Sequence, residues 1–199
     1  FDGPFSNDCY KSRVESALNQ FNTLSKTDTF NRKSDNWERY IYHLPYAFHA
    51  KRISTDIAKA YFHAIGQWDQ ILNELGLNES DEGFTKAFAK SAQYRSFVQE
   101  KIEKSQRISG LIGNMYSCSI FLALISTLHF DCKENVDLNG KTIGFLAYGS
   151  GAKSKVFEGT VQAGWTTIME QLNLDQQIES RVPVSYDEYE TIHKGECTI

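Results

Sequence analysis

Several patterns that usually announce a chemistry are missing from this sequence. The four cysteines, Cys9, Cys118, Cys132 and Cys197, form no CxxC pair and have no histidines at zinc-ligand spacing. No metal site is therefore expected, and reduced thiols in a cytoplasmic protein are the natural reading. There is no Walker pattern and no GxGxxG fingerprint, so a nucleotide fold is not indicated. A formal net charge of −4 leaves no basic excess for general nucleic-acid binding, although a local basic patch could still meet a phosphate. No segment has the length and composition of a signal peptide or a membrane span, and there is no repeat or low-complexity tract. Met115 and Met169 are the only methionines, so the opening Phe1-Asp2-Gly3-Pro4 reads as a piece cut from a longer protein.

What remains is an ordinary globular composition: 199 residues, 41% hydrophobic and 13% aromatic, enough for one domain with a sizeable core. Its most distinctive stretch is Ile108–Phe130, which after Asn114 carries no charge and no proline until His129. Only small hydroxyls interrupt its apolar residues. A helix without a polar face must be covered on every side, and this one is too short and too rich in hydroxyls for a span of about 20 apolar residues. The expectation is a central helix sandwiched between layers, with Gly113-Asn114 at its amino end. Unpaired N–H groups and the positive end of the dipole collect there and can hold a developing negative charge. Cys118, inside that helix, is expected to act as a small hydrophobe.

Along the chain, Phe1–Asn7 reads as a turn with Ser6 or Asn7 as a cap, followed by an amphipathic helix from Asp8 to about Leu24. Ser25–Trp37 reads as a surface loop. Arg39–Pro45, RYIYHLP, reads as a short buried strand, placing His43 near its carboxyl end, where ligands meet the sheet in layered α/β proteins. Tyr46–Leu77 is a helical region closed by Gly76, with Lys51 and Arg52 near its start. Phe84–Arg107 reads as a charged surface helix, and His49 and His63 receive no role. Asp131–Gly140 is a polar loop. Lys141–Tyr148 is a strand, and Gly149-Ser150-Gly151 a tight turn whose backbone can approach a ligand. Ala152–Phe157 and Gly159–Gln162 form a returning strand. Trp165–Leu172 reads as a short helix, Val184–Glu190 as a peripheral segment ending in a helical turn, and the tail after His193 as disordered.

Asp2-Gly3-Pro4-Phe5-Ser6-Asn7, His43-Leu44-Pro45-Tyr46, Gly113-Asn114-Met115-Tyr116-Ser117 and Ile143-Gly144-Phe145 leading to Tyr148-Gly149-Ser150-Gly151, in this order, resemble the C-terminal half of hydroxymethylglutaryl-CoA synthase, of the thiolase-like superfamily. The resemblance runs to about Glu190. It implies an α/β fold of five αβαβα layers built from two similar halves, of which this chain is the C-terminal one. It also implies the condensation of acetyl-CoA with acetoacetyl-CoA in the mevalonate route to isoprenoids. In that chemistry a cysteine is acetylated, a glutamate deprotonates the acetyl group, and the carbanion attacks the ketone. Cysteine and glutamate belong to the N-terminal half, which this chain lacks, so the isolated chain is expected to be inactive. The full-length protein is expected to be a homodimer with CoA thioesters as ligands and no cofactor, nucleic acid or membrane as partner.

Carried onto this sequence, the resemblance makes His43 the group that polarises the ketone and protonates the new alkoxide, a task that suits a pKa near neutrality. Asn114 becomes a neutral donor to a substrate carbonyl. Ser150 and its glycines contact the acyl group, Tyr116 lines the pocket, and Lys51 and Arg52 fall where basic residues of the CoA tunnel occur. One departure is plain: Phe48 stands where the family often has a lysine. Rival readings are a β-branching synthase of polyketide pathways fed by a carrier protein, and a non-catalytic half-domain that only binds.

Overall fold

The computed structural model describes residues 2–25, 34–149 and 151–196. The polar segment 26–33, Ser150 and the last residues, 197–199, lie outside them, so the surface-loop reading is tested only at its end, a 3-10 turn over Ser34–Asn36. Helix α1 (Gly3–Ser25) begins at Gly3 rather than Asp8. Asp2, not Ser6 or Asn7, supplies the cap: its Oδ1 accepts the Phe5 N–H at 3.0 Å. Tyr10, Val14 and Leu18 form the buried face that their spacing predicts.

Three strands make one sheet in the order β1 (Arg39–Tyr42), β2 (Thr142–Gly149), β3 (Lys153–Thr160). β1 and β2 are parallel, with Arg39 opposite Ile143 and Tyr42 opposite Leu146, and β2 runs on past the end of β1 to Gly149. β2 and β3 are an antiparallel hairpin, Thr142 opposite Thr160 and Gly149 opposite Lys153. β3 is the expected returning strand, continuous through Glu158 and ending at Thr160. Glycine is required at 144, because a Cβ there would lie 1.8 Å from the Trp37 ring. Helix α1 lies against β2 and β3.

A parallel pair needs a long crossover, and here it is wholly helical: α2 (Ala50–Ile53), α3 (Thr55–Ala64), α4 (Trp68–Leu75), α5 (Phe84–Phe88), α6 (Ala92–Lys101), α7 (Glu103–Ile112) and α8 (Ser119–Lys133). Gly76 closes α4 with φ +62°, as its position predicts. The single surface helix expected over Phe84–Arg107 is instead three helices with a buried face. Phe88, Tyr94 and Phe97 join Trp68, Phe62 and Tyr40 in an aromatic core, and Lys104, Ser105 and Gln106 are buried where α7 packs on α8. After the hairpin come α9 (Trp165–Leu172), α10 (Leu174–Glu179) and α11 (Tyr186–His193). A capping box at Ser185 and Glu188 starts α11.

The central stretch departs most from expectation. It is not one helix: α7 ends at Gly113, whose φ +97° and ψ −160° belong to glycine alone, and α8 starts only at Ser119. Nor is α8 covered all round. Ser119, Ile120, Ala123, Ser126 and Thr127 are buried, while Phe121 is 64% exposed. The hydroxyls share the covered flank with Ile120 and Ala123, because each finds a partner there. Ser126 Oγ donates to the Lys104 carbonyl and accepts the Ile108 N–H at 3.2 Å, and Thr127 donates to the Ala123 carbonyl at 2.9 Å. Small side chains that satisfy their own hydrogen bonds let α7 and α8 approach closely. α8 also extends through Asp131, which was expected in a loop and is instead buried. None of the described helices is long and apolar enough to cross a membrane.

Candidate active site

His43 follows β1 directly, and three elements hold it. Its N–H donates to the Leu146 carbonyl of β2 at 3.0 Å. Its own carbonyl accepts the Tyr10 hydroxyl of α1 at 2.8 Å. Its Nδ1 lies 2.9 Å from Oγ of Ser119, the first residue of α8, and the same oxygen accepts the Leu44 N–H at 2.9 Å. With the hydroxyl hydrogen given to Nδ1, the ring proton resides on Nε2. Burial lowers the His43 pKa from its ordinary value and so favours the neutral imidazole.

Because β2 runs on past the end of β1 beside His43, the Tyr148 ring, at the head of the glycine turn, comes within 6.5 Å of His43 and 4.6 Å of Tyr10. His49 completes this aromatic cluster. It is 1% exposed, edge-on to Tyr10 at 4.7 Å and to Tyr46 at 4.6 Å. Burial, then the neighbouring His43 and Arg52, push it down to about 4. His63, by contrast, stays on the surface beside Glu79 and Trp68. Ser119, Tyr10 and His49 escaped sequence reading. A serine in an apolar run, a tyrosine on a helix face and a histidine in a loop carry no local mark of their shared destination.

The other expected site residues are placed less closely. Gly113-Asn114 does not open α8 but lies in the link before it. Asn114 is exposed, and its Oδ1 accepts the Tyr116 N–H at 2.8 Å, which leaves the carboxamide N–H groups as its free donors. Tyr116 adopts φ +48° and is 77% exposed. Among the described residues no hydrogen bond joins Asn114 or Tyr116 to His43. Ser150 lies outside the described residues, although Gly149 and Gly151 on either side are exposed. Lys51 and Arg52 are exposed on α2, just past the His43 loop. Cys118 is exposed rather than a buried apolar group, because the helix it was assigned to begins one residue later. Among the described residues no cluster of three His, Cys, Asp or Glu could hold a metal ion.

The mixed helix-and-sheet architecture is that of the thiolase-like HMG synthase structures. MvaS in complex with 3-hydroxy-3-methylglutaryl coenzyme A superposes with a TM-score of 0.75 at 25% identity, over 97% of this chain and 44% of that one. The Curacin biosynthetic pathway HMG synthase shares the fold at a TM-score of 0.70 and 20% identity, over 96% of this chain and 39% of that one. The chain belongs to the family described as hydroxymethylglutaryl-coenzyme A synthase C terminal, which it matches over residues 1–198. It is 27% identical over 211 residues to hydroxymethylglutaryl-CoA synthase of Haloferax volcanii, covering 96% of this chain and 45% of that protein. It is 24% identical over 204 residues to that of Saccharomyces cerevisiae, covering 95% of this chain and 41% of that protein. The chain thus spans less than half the length of these relatives.

Proposed function

We propose that this chain is the C-terminal half of a hydroxymethylglutaryl-CoA synthase. It would act with an N-terminal half that carries the acetylated cysteine and the glutamate base. The observation that carries the reading is the placement of His43, held by Ser119, Leu146 and Tyr10 just past the end of β1 and beside β2. When the acetyl carbanion adds to the ketone of acetoacetyl-CoA, a carbon–carbon bond forms and the ketone oxygen becomes an alkoxide. The Nε2–H of His43 holds and polarises the ketone oxygen, and the proton that quenches the alkoxide comes from the ring once it is protonated to imidazolium, a form that burial makes the stronger acid. Asn114, its oxygen engaged by Tyr116, offers N–H donors to a thioester carbonyl; losing such a donor typically costs about 2.7–4 kcal/mol of barrier. Tyr116 lines the acyl site, the role that the resemblance also gives Ser150, and Lys51 and Arg52 meet the CoA phosphates.

The exposed flank of α8 around Phe121, with Leu111, Ile112 and Met115 nearby in the chain, fits a surface that the other half covers. Free thiols at Cys9, Cys118 and Cys132 fit a cytoplasmic enzyme feeding isoprenoid synthesis, with the full-length chain a homodimer. The chemistry uses thioesters and proton transfer alone and calls for no cofactor. The test is His43→Ala in the full-length protein. Acetylation of the nucleophilic cysteine survives, while condensation with acetoacetyl-CoA falls by orders of magnitude; equal loss of both steps removes the role given to His43.

A further inference from the structure

A helix as short as α11 does not hold itself together in water; in folded proteins a packed face holds it. Among the residues of α11, all of them described, none is buried. The helix is nonetheless finished locally. The Ser185–Glu188 capping box closes its start, the Tyr186 hydroxyl donates to Glu190 Oε1 at 2.8 Å, and Lys194 Nζ lies 3.3 Å from the other Glu190 oxygen. Tyr186, Tyr189 and His193, at three- and four-residue spacing, share one side. The rings of Tyr189 and His193 stack at 5.8 Å, and the two tyrosines are 71% and 54% exposed. The link that leads to them adds Val182 and Val184, both exposed as well. A run of apolar and aromatic side chains left open together marks a contact surface. The root of the segment is fixed. Asp175 of α10 lies 3.1 Å from His129 Nε2 and accepts from Lys133 at 2.7 Å, both on α8. Past the other end of α10, Arg181 donates to the Leu111 carbonyl of α7 at 2.8 Å. The segment therefore starts within an arginine's length of Leu111, one of the exposed residues that the reading above assigns to the contact with the N-terminal half.

We propose that residues 182–193 form an arm that holds the N-terminal half of the same protein, its tyrosine face seated on an apolar patch edged with basic groups. The inference rests on the two-halves reading above and adds to the α8 flank a second, separate hold. Reach selects this occupant. The linking residues 182–185 span at most about 14 Å and the helix about 12 Å, so the arm meets only what lies next to Leu111. Charge selects the surface. Asp187, Glu188 and Glu190 against Lys194 leave the arm acidic. The same arm from a second copy, in a chain of net charge −4, would repel it. Tyrosine, with an apolar body and a polar tip, is a side chain that anchors such contacts.

The experiment uses the full-length protein with photoreactive benzoylphenylalanine in place of Tyr189 and, separately, of Phe121, the crosslinks being mapped by mass spectrometry. The label at position 189 links to a residue of the N-terminal half within one polypeptide. A link confined to the C-terminal half, a link between two subunits, or no link overturns the arm. Hydrogen exchange gives the second measurement. Tyr186→Ser with Tyr189→Ser speeds exchange of the α11 amides at least about tenfold, the effect of one lost interface anchor, and leaves the α7 and α8 amides unchanged. Tyr186→Phe with Tyr189→Phe loses the Tyr186–Glu190 bond but keeps the rings, and keeps the slow exchange. Unchanged exchange in the serine variant, an equal effect in the phenylalanine variant, or acceleration across α7 and α8 alike overturns the arm too. If position 121 links to the N-terminal half and position 189 does not, only the arm falls. If neither links, the two-halves reading falls with it.

Discussion

Arg39 on β1 grips Asp131 on α8 with two hydrogen bonds, Nε to Oδ2 at 3.0 Å and Nη2 to Oδ1 at 2.8 Å. Asp131 is 0% exposed, and Lys104 of α7 adds a third contact at 2.6 Å. One carboxylate therefore ties together the strand that leads to His43, the helix that starts at Ser119 and the helix between them. Removing it leaves two cations with lost compensation. Asp131→Ala should cost about 3–5 kcal/mol of stability, read by denaturant unfolding. Arg39→Met with Asp131→Leu should recover most of that, since Lys104 keeps Glu134 at 2.7 Å. A double variant as unstable as the single would show that the geometry of the pair matters, not only the orphaned charge.

Ser119 serves two neighbours at once, the Leu44 N–H and the His43 ring. Ser119→Ala should cost about 1–3 kcal/mol for the unpaired amide. In the full-length protein it should also lower the condensation rate by up to about a hundredfold, because a misplaced acid is a slow one. KM for acetoacetyl-CoA should hold. Ser119→Thr, which keeps the hydroxyl, should restore the rate; a rate that tracks stability alone would make Ser119 purely structural.

The buried His49 should make the protein acid-sensitive. Its ordinary pKa of 6.5 falls to about 4 in the fold, chiefly through burial. Between these values the unfolded chain takes up a proton that the folded protein refuses. Stability is then fully present above about pH 6.5 and declines as the pH drops toward 4, by up to about 1.4 kcal/mol per pH unit. His43 acts in the same direction. Glu15, pushed up to about 7 by burial and by Asp56, acts in the opposite one. The contrast between His49→Leu and the parent isolates the effect: the variant should show a flatter decline from pH 6.5 to 4. Identical slopes would contradict the assignment.

Phe121 tests the uncovered flank of α8. Phe121→Glu should change the stability of the chain itself by less than about 0.5 kcal/mol, as exposed positions do. It should also reduce co-purification with a separately expressed N-terminal half. Unchanged co-purification would mean that the other half sits elsewhere.

The strand read over Arg39–Pro45, which the structure ends at Tyr42, the β2–β3 hairpin and the stop at Gly76 were legible because each rests on local chemistry: a β-branched and aromatic run, a glycine turn, a left-handed cap. The order of His43-Leu44-Pro45, Gly113-Asn114 and Tyr148-Gly149 was also enough to reach the family. The helix over Ile108–Phe130 was misread because an apolar count does not say which flank is covered. Phe84–Arg107 was misread as surface because its charges look solvated until Asp131 is seen to bind Lys104.

By itself, then, the sequence determined the strands, the stop at Gly76 and the family, since those depend on neighbours a few positions away or on the order of short motifs. Only the tertiary structure decided that α8 hides its hydroxyls and shows Phe121, that Ser119 meets His43, and that His49 is sealed between two tyrosines. Those outcomes depend on hydrogen bonds and packing between segments far apart in the chain, and no local pattern encodes them.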